Sequence, residues 1–93
     1  QEMKKDFTKA VKQELDVQVM TNPTHSEFTL IIKSSSNEPV SMRIIDINSR
    51  VKEVRTAILP GQPVKAGMHY FNGIYFAEFV QGREKKVIKL VKL

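Results

Sequence analysis

This sequence contains no cysteine and no tryptophan, and it has only two histidines. Without cysteine, the protein cannot form disulfides or use a thiolate as nucleophile or metal ligand. Two histidines alone fall short of the Cys and His ligand set of a structural zinc site. The four glycines stand apart from one another, so the sequence has no glycine-rich phosphate-binding loop. The longest apolar runs, such as Ile74–Ala77, are far too short to cross a bilayer.

Residues suited to catalysis are few and scattered. His25 falls in a turn and His69 lies in the loop sequence AGMHYFNG, where we expect exposed imidazoles. The serines cluster in a turn and do not occupy the strand-to-helix elbow of a nucleophilic serine. Asp46, Glu53 and Glu78 fall in different predicted strands, and a domain this small rarely has the cleft that paired catalytic carboxylates need. We predict that the protein is not an enzyme and has no metal or cofactor.

Positive charge is in excess, with 15 Lys and Arg against 10 Asp and Glu and a net charge of +5. The lysines are spread along the chain, and most have an acidic residue close in sequence. Proteins that bind nucleic acid by base stacking place aromatic residues among the basic ones, and here the lysine-rich ends contain only Phe7. The composition therefore predicts no nucleic-acid partner.

Alternation of apolar and polar residues begins near Leu15 and predicts β-strands. Residues 73–82 are apolar on both faces, as in a central strand, and a tight connection joins them to residues 84–93, which predicts a hairpin. Residues 50–58 are more polar and resemble an edge strand. Only residues 59–72 are long enough to form one long projecting loop, which a small protease inhibitor, a third possible class, would need. Turn-forming segments separate the strands at nearly regular spacing, and no helical segment lies between them. The pattern predicts an all-β fold, an antiparallel β-sandwich of about seven strands.

The first fourteen residues differ from the rest. Met3, Phe7 and Val11 follow a helical spacing among Lys and Glu residues, which predicts a linker of partial helicity over residues 1–14. The domain itself is assigned to residues 15–93. We also expect Tyr75, close to the start of its strand, to act as a corner tyrosine whose hydroxyl bonds to upstream backbone while Gly73 permits the tight approach.

Several weak motifs occur in a characteristic order. Asn22–Pro23 precedes the alternating segment 28–32; then come EPVSMRIIDINSR, NGIYFAEF with Gly73 and Tyr75, and the terminal strand KVIKLVK. The lysines of that strand are Lys86, Lys89 and Lys92. In order and spacing, residues 16–93 resemble the C-terminal sorting domain of type IX secretion cargo proteins of Bacteroidetes.

The resemblance implies an immunoglobulin-like antiparallel β-sandwich that serves as an address for secretion. The cargo would fold in the periplasm, be recognised by an outer-membrane translocon, and be carried by a shuttle barrel protein to a surface sortase. The sortase would then cut in the linker ahead of the domain and leave the cargo at the cell surface or outside the cell. Asn22, Pro23, Gly73, Tyr75, Lys86, Lys89 and Lys92 match the signature positions of the family.

Two positions depart from the family pattern. Ser49 stands where relatives often have glycine, which predicts a differently shaped turn, and Thr21 stands where proline is frequent. The main alternative is an immunoglobulin-like binding, adhesion or spacer module of a secreted bacterial protein. A glycan-binding module would expose aromatic platforms, for which His69, Tyr70 and Phe71 are the candidates.

The lysines of the terminal strand have two interpretations. A strand with lysines beside aliphatic residues could pair in a sheet and still present a basic stripe or an open edge to a partner, with Lys86 and Lys92 on one face and Lys89 on the other. Alternatively, the lysines only protect an edge strand from aggregation. Exposed edges would also permit a homodimer through edge pairing.

Overall fold

The computed structural model describes residues 14–93, so the predicted linker over residues 1–14 lies outside the described residues except for Glu14. Glu14 is fixed to the body of the domain, because its amide donates to the Ser35 hydroxyl at 3.1 Å and its carbonyl accepts from the Ser35 amide. Seven strands follow: β1 (Leu15–Val19), β2 (Phe28–Ser34), β3 (Val40–Asp46), β4 (Val51–Ile58), β5 (Pro63–Ala66), β6 (Gly73–Gln81) and β7 (Glu84–Lys92).

The strands form two sheets of three and four strands. One has the order β1-β2-β5 and the other has the order β4-β3-β6-β7, and every neighbouring pair within them is antiparallel. The predicted all-β, seven-stranded antiparallel sandwich is therefore confirmed. None of the described segments is a helix long and apolar enough to span a membrane.

The core lies between the sheets and follows the period-two pattern of the sequence. Alternate residues of each long strand point inward, as in β2, where Phe28, Leu30 and Ile32 are fully buried. β6 is the central strand that its two apolar faces predict, since β3 and β7 pair with its two edges. The largest fully buried apolar side chains are those of Phe28, Phe79, Leu30, Ile32, Met42, Ile44, Leu90 and Val40.

The prediction of one long loop over residues 59–72 is wrong. Residues 63–66 form β5, which pairs with β2 in the register Leu30 opposite Val64 and Phe28 opposite Ala66. A four-residue strand that begins with proline has too little alternation to be recognised in the sequence. It forms because its two apolar side chains complete the core beside β2.

The turn between β3 and β4 contains a left-handed residue. Ser49 adopts φ +66°, the conformation that glycine takes most easily. The Asp46 carboxylate holds this turn by accepting the amides of Asn48 and Arg50, each at 2.9 Å. Those two hydrogen bonds, together with the Arg50 guanidinium 3.3 Å away, lower the pKa of Asp46 against a smaller opposing effect of burial.

Candidate functional site

Six of the seven signature residues meet at one end of the sandwich. We call this the β7 end and define it by residues 22–26, 67–75 and 89–93. Asn22 and Pro23 reach it from the β1–β2 connection, Gly73 and Tyr75 from the start of β6, and Lys89 and Lys92 from β7. Lys86 lies towards the opposite end, opposite Phe79 in the sheet and 3.5 Å from the Asp16 carboxylate. The described residues thus bring together positions separated by up to seventy residues in sequence.

Asn22 binds the outer edge of β7 through both polar atoms of its side chain. The amide nitrogen donates to the Lys89 carbonyl at 2.9 Å, and the amide oxygen accepts the Val91 N–H at 2.9 Å. An asparagine presents one donor group and one acceptor side by side, as a peptide unit does, so Asn22 replaces part of a neighbouring strand. The next peptide bond, Asn22–Pro23, is cis.

Thr24 continues this pairing with its backbone. Its amide donates to the Val91 carbonyl at 3.1 Å, and its carbonyl accepts the Leu93 amide at 2.8 Å, which makes a short parallel bridge. Together with Asn22, it covers the edge of β7 from residue 89 to residue 93. The hypothesis of an open terminal edge is therefore wrong for these last residues, because covering the edge satisfies backbone groups that would otherwise be exposed.

Lys92 is a buried residue with only 4 % of its surface exposed. Its ammonium group donates to three carbonyl oxygens: Ser26, Gly67 at 2.6 Å and Met68 at 3.0 Å. An ammonium has three N–H donors, so this set satisfies it completely. The predicted basic stripe of Lys86 and Lys92 is wrong. Both do lie on the inward side of β7, but one is ion-paired at the opposite end and the other is enclosed.

Lys92 thereby joins three segments of the chain. Its carbonyl partners belong to the β1–β2 connection and to the β5–β6 connection, and the lysine belongs to β7. Gly67 fits this position tightly, with φ +89° and Phe28 so close that an added Cβ would lie 2.8 Å from the ring. The position of the terminal strand is therefore fixed by the folded core.

Tyr75 is a corner tyrosine, as predicted. Its ring is buried, and its hydroxyl donates to the Phe71 carbonyl four residues upstream at 2.7 Å. The ring contacts Tyr70 with a centroid separation of 4.7 Å and a tilt of 39°. Gly73 begins β6 opposite Lys92 at φ +153°, a backbone conformation that other residues rarely adopt. The expected tight approach at Gly73 is wrong, because an added Cβ would meet no atom within 4 Å.

Tyr70 links this end to the edge strand β4. Its hydroxyl donates to the Glu53 carboxylate at 2.9 Å, and Glu53 is in turn ion-paired with Arg55. The Arg55 guanidinium also donates to the Lys65 carbonyl at 2.8 Å and so joins β4 to β5. Burial, reinforced by the Glu53 carboxylate, raises the pKa of Tyr70 above its ordinary range, so the phenol stays protonated as a hydrogen-bond donor.

The sequence pattern did not identify several residues that hold the two ends of the sandwich together. Thr24, Ser26 and Met68 contribute through their backbones, which no side-chain pattern reveals. Gln81 is fully buried at the opposite end, where its side chain accepts from Ser34 and donates to the carbonyls of Ser36 and Glu38. The burial of Gln81 could have been predicted from its position, because it lies two residues after Phe79 in the same strand and so points inward.

Some side chains of the β7 end are exposed. Phe71 is 86 % exposed and His69 next to it in the same turn is also exposed, whereas Tyr70 is half-buried. His25 is exposed as well, as expected for a turn residue. Over residues 14–93, no group of three or more His, Asp or Glu residues is arranged to hold a metal ion. No protein-family model matches the sequence, and the search of curated proteins found no match either.

Proposed function

We propose that this chain carries a C-terminal secretion signal domain that directs a cargo protein through the outer membrane by type IX secretion and is then removed by a surface sortase. The observation that carries the proposal is the meeting of six signature residues at the β7 end. Asn22 is 67 residues from Lys89 in the sequence, yet its side chain bonds to the Lys89 backbone at the end of the β6–β7 hairpin where Gly73 lies opposite Lys92. Residues that define a sequence resemblance are expected to converge when they serve one role.

The geometry suggests how such an address would work. The last residues of β7 are held by the Asn22 clamp along one edge and by the three carbonyls around Lys92 on the inward face. A translocon and a shuttle barrel protein would therefore meet a rigid folded surface, with no need to order a flexible tail. Binding then avoids the conformational entropy cost of immobilising that segment. The sortase would cut before residue 15, where the folded domain begins.

The proposal is tested by export of a fluorescent reporter. Residues 1–93 are fused to the carboxyl end of the reporter and expressed in a type IX-competent bacterium and in a matched strain that lacks the translocon. We expect the reporter at the surface or in the medium of the first strain only. Retention in the periplasm of the competent strain would contradict the proposal.

A control variant separates the role of the β7 end from the presence of the domain. Lys92→Met removes the ammonium that joins three segments, whereas Lys33→Met removes an exposed lysine of β2 in the other sheet, outside the β7 end. We expect the first variant to lose export and the second to retain it. Equal export by both variants would show that the β7 end is not what the secretion machinery requires.

The alternative function is a glycan-binding or adhesion module. Phe71 favours it, because an aromatic ring with 86 % exposure is a suitable platform for a sugar ring. Carbohydrate binding by the whole chain on a glycan array, lost in Phe71→Ser, would support this alternative. Normal export of that variant in the reporter assay would show that the aromatic ring is not part of the address.

A further inference from the structure

The outward surface of the four-stranded sheet is unusually apolar. We call it the outer face. Because residues opposite each other in antiparallel strands share a face, the strand register gives its rows directly. One row runs Val51, Ile45, Phe76, Lys89; the next runs Val54, Arg43, Glu78, Val87; Ile74 with Val91 and Ser41 with Val80 and Lys85 complete the face.

Eight of these thirteen side chains are apolar, and several are widely exposed. Val54 is 60 % exposed, Val51 51 % and Val87 49 %. Such a concentration is unexpected on the solvent side of an antiparallel sheet, where polar residues normally alternate with the inward apolar ones. Contiguous apolar surface of this kind commonly marks an interaction site.

The other sheet provides an internal comparison. The outward positions of β1, β2 and β5 are Asp16, Gln18, Thr29, Ile31, Lys33, Pro63 and Lys65. That surface is mostly polar or charged, although it belongs to the same sandwich and encloses the same core. The apolar character of the outer face is therefore not a requirement of the fold.

The charges on the outer face are arranged unequally. Arg43 and Glu78 neutralise each other at its centre, with 2.8 Å between guanidinium and carboxylate. Lys85 and Lys89 lie along β7, both exposed, and neither has an acidic partner within residues 14–93. The outer face thus combines an apolar centre with a positively charged edge along β7.

From this arrangement we infer that the outer face is a docking surface for a protein partner whose own contact surface is apolar and acidic. The inference rests on the proposed function and deepens it by assigning the face and the partner chemistry used in recognition. Apolar contact supplies affinity, and carboxylates on the partner orient it against Lys85 and Lys89. A second copy of this chain fits less well, because it would bring a further positively charged edge and no free carboxylate to the interface.

The size of the face indicates a transient contact. Four strands about 4.8 Å apart and four rows about 6.8 Å apart cover on the order of 500 Å², whereas stable complexes bury about 800 Å² on each partner. A cargo that passes from translocon to shuttle to sortase must leave each partner in turn. A contact below the standard size suits that sequence of hand-overs.

The test is photo-cross-linking in the type IX-competent bacterium, with the whole chain fused to the reporter. A photoreactive amino acid is placed at Val54 or Val87 on the outer face, or at Gln18 on the opposite sheet as control. We expect adducts from the first two positions with a peptide rich in apolar and acidic residues, and none from Gln18. The double variant Lys85→Glu with Lys89→Glu should reduce the adduct about tenfold or more, since two attractive contacts become repulsive.

Matched variants and the export readout keep the outcomes separate. Lys33→Glu with Lys65→Glu makes the same charge change on the opposite sheet and should leave the adduct unchanged. Adducts with a second copy of the chain, with lipid, or equally from Gln18 would overturn the docking inference, as would insensitivity to the charge reversal. If the wild-type reporter is exported normally in those cases, the proposed function stands while the docking inference falls. If a face-specific, charge-dependent adduct forms but the reporter is retained, the proposed function alone is refuted.

Discussion

Replacing Lys92 by methionine is expected to destabilise the domain strongly. Methionine keeps most of the apolar stem but removes the ammonium group, so the carbonyls of Ser26, Gly67 and Met68 lose their shared donor. The Gly67 carbonyl keeps the Tyr70 amide as a donor at 3.2 Å, so the loss falls mainly on the carbonyls of Ser26 and Met68. A hydrogen bond to a charged group contributes about 1.5–3 kcal/mol, and we expect the variant to lose about 3 kcal/mol in all. A domain of this size has a total stability of about 5–10 kcal/mol, so this loss is a large fraction of it.

The prediction is tested on the whole chain by denaturant and thermal unfolding followed by far-ultraviolet circular dichroism. A loss of 3 kcal/mol lowers the Tm of a domain this size by about 12 °C or more. Lys89→Met is the matched control, since Lys89 is exposed on the other side of the same strand, and we expect a change within about 0.5 kcal/mol. If Lys92→Met unfolds within about 1 kcal/mol of that control, the ammonium does not stabilise the β7 end.

Three further changes test other parts of the structure. Ser49→Gly should raise the free energy of unfolding by about 0.5–1 kcal/mol, because relief of the left-handed serine outweighs the entropic cost of the glycine. Ser41→Gly in β3 should lower it by a similar amount. Changes of the same sign in thermal unfolding of the two variants would refute the strain argument. Gly67→Ala should lower the free energy of unfolding by about 2 kcal/mol or more, because the added Cβ would meet the buried Phe28. Gly61→Ala is the control for the backbone contribution, because Gly61 has nearly the same φ and lies in open space. Equal losses of stability in the two variants would mean that the contact with Phe28 is unimportant. The lowered pKa of Asp46 means that its carboxylate stabilises the fold above the unfolded-state pKa of 3.8 and that this contribution disappears as the pH falls through the folded-state value. Asp46→Asn should therefore lose less stability than the wild type as the pH is lowered from 5 through the folded-state pKa of Asp46. Unfolding free energies of the two proteins that fall in parallel with pH would contradict this assignment.

The outer face and the β7 end share β7 but use it differently. Inward residues of β7 complete the core and the Lys92 contacts, whereas outward residues supply Lys85, Val87, Lys89 and Val91 to the outer face. Variants on the two sides of one strand therefore separate stability from recognition. This separation matters for any export experiment, since deletion of the last residues removes both at once.

Local sequence pattern was sufficient for most of the architecture. The inward parity of Phe28, Leu30 and Ile32 followed from alternation, and the two apolar faces of residues 73–82 placed β6 at the centre of a sheet. Tyr75 was also predictable, because a corner tyrosine depends on a hydrogen bond to nearby backbone. These features depend on interactions over short distances along the chain or on the simple need to bury one face.

The tertiary structure alone decided the environment of the lysines and the edge of the terminal strand. Lys92 and Lys89 look alike in sequence, yet one is enclosed by three carbonyls and the other is exposed, because the carbonyls come from loops about 25 and 66 residues away. Asn22 likewise reads as a turn residue, and its contact with β7 exists only after the two sheets have packed. The sequence determined which residues turn inward; where backbone carbonyls and amides converge depended on the packing of distant segments, which no local periodicity encodes.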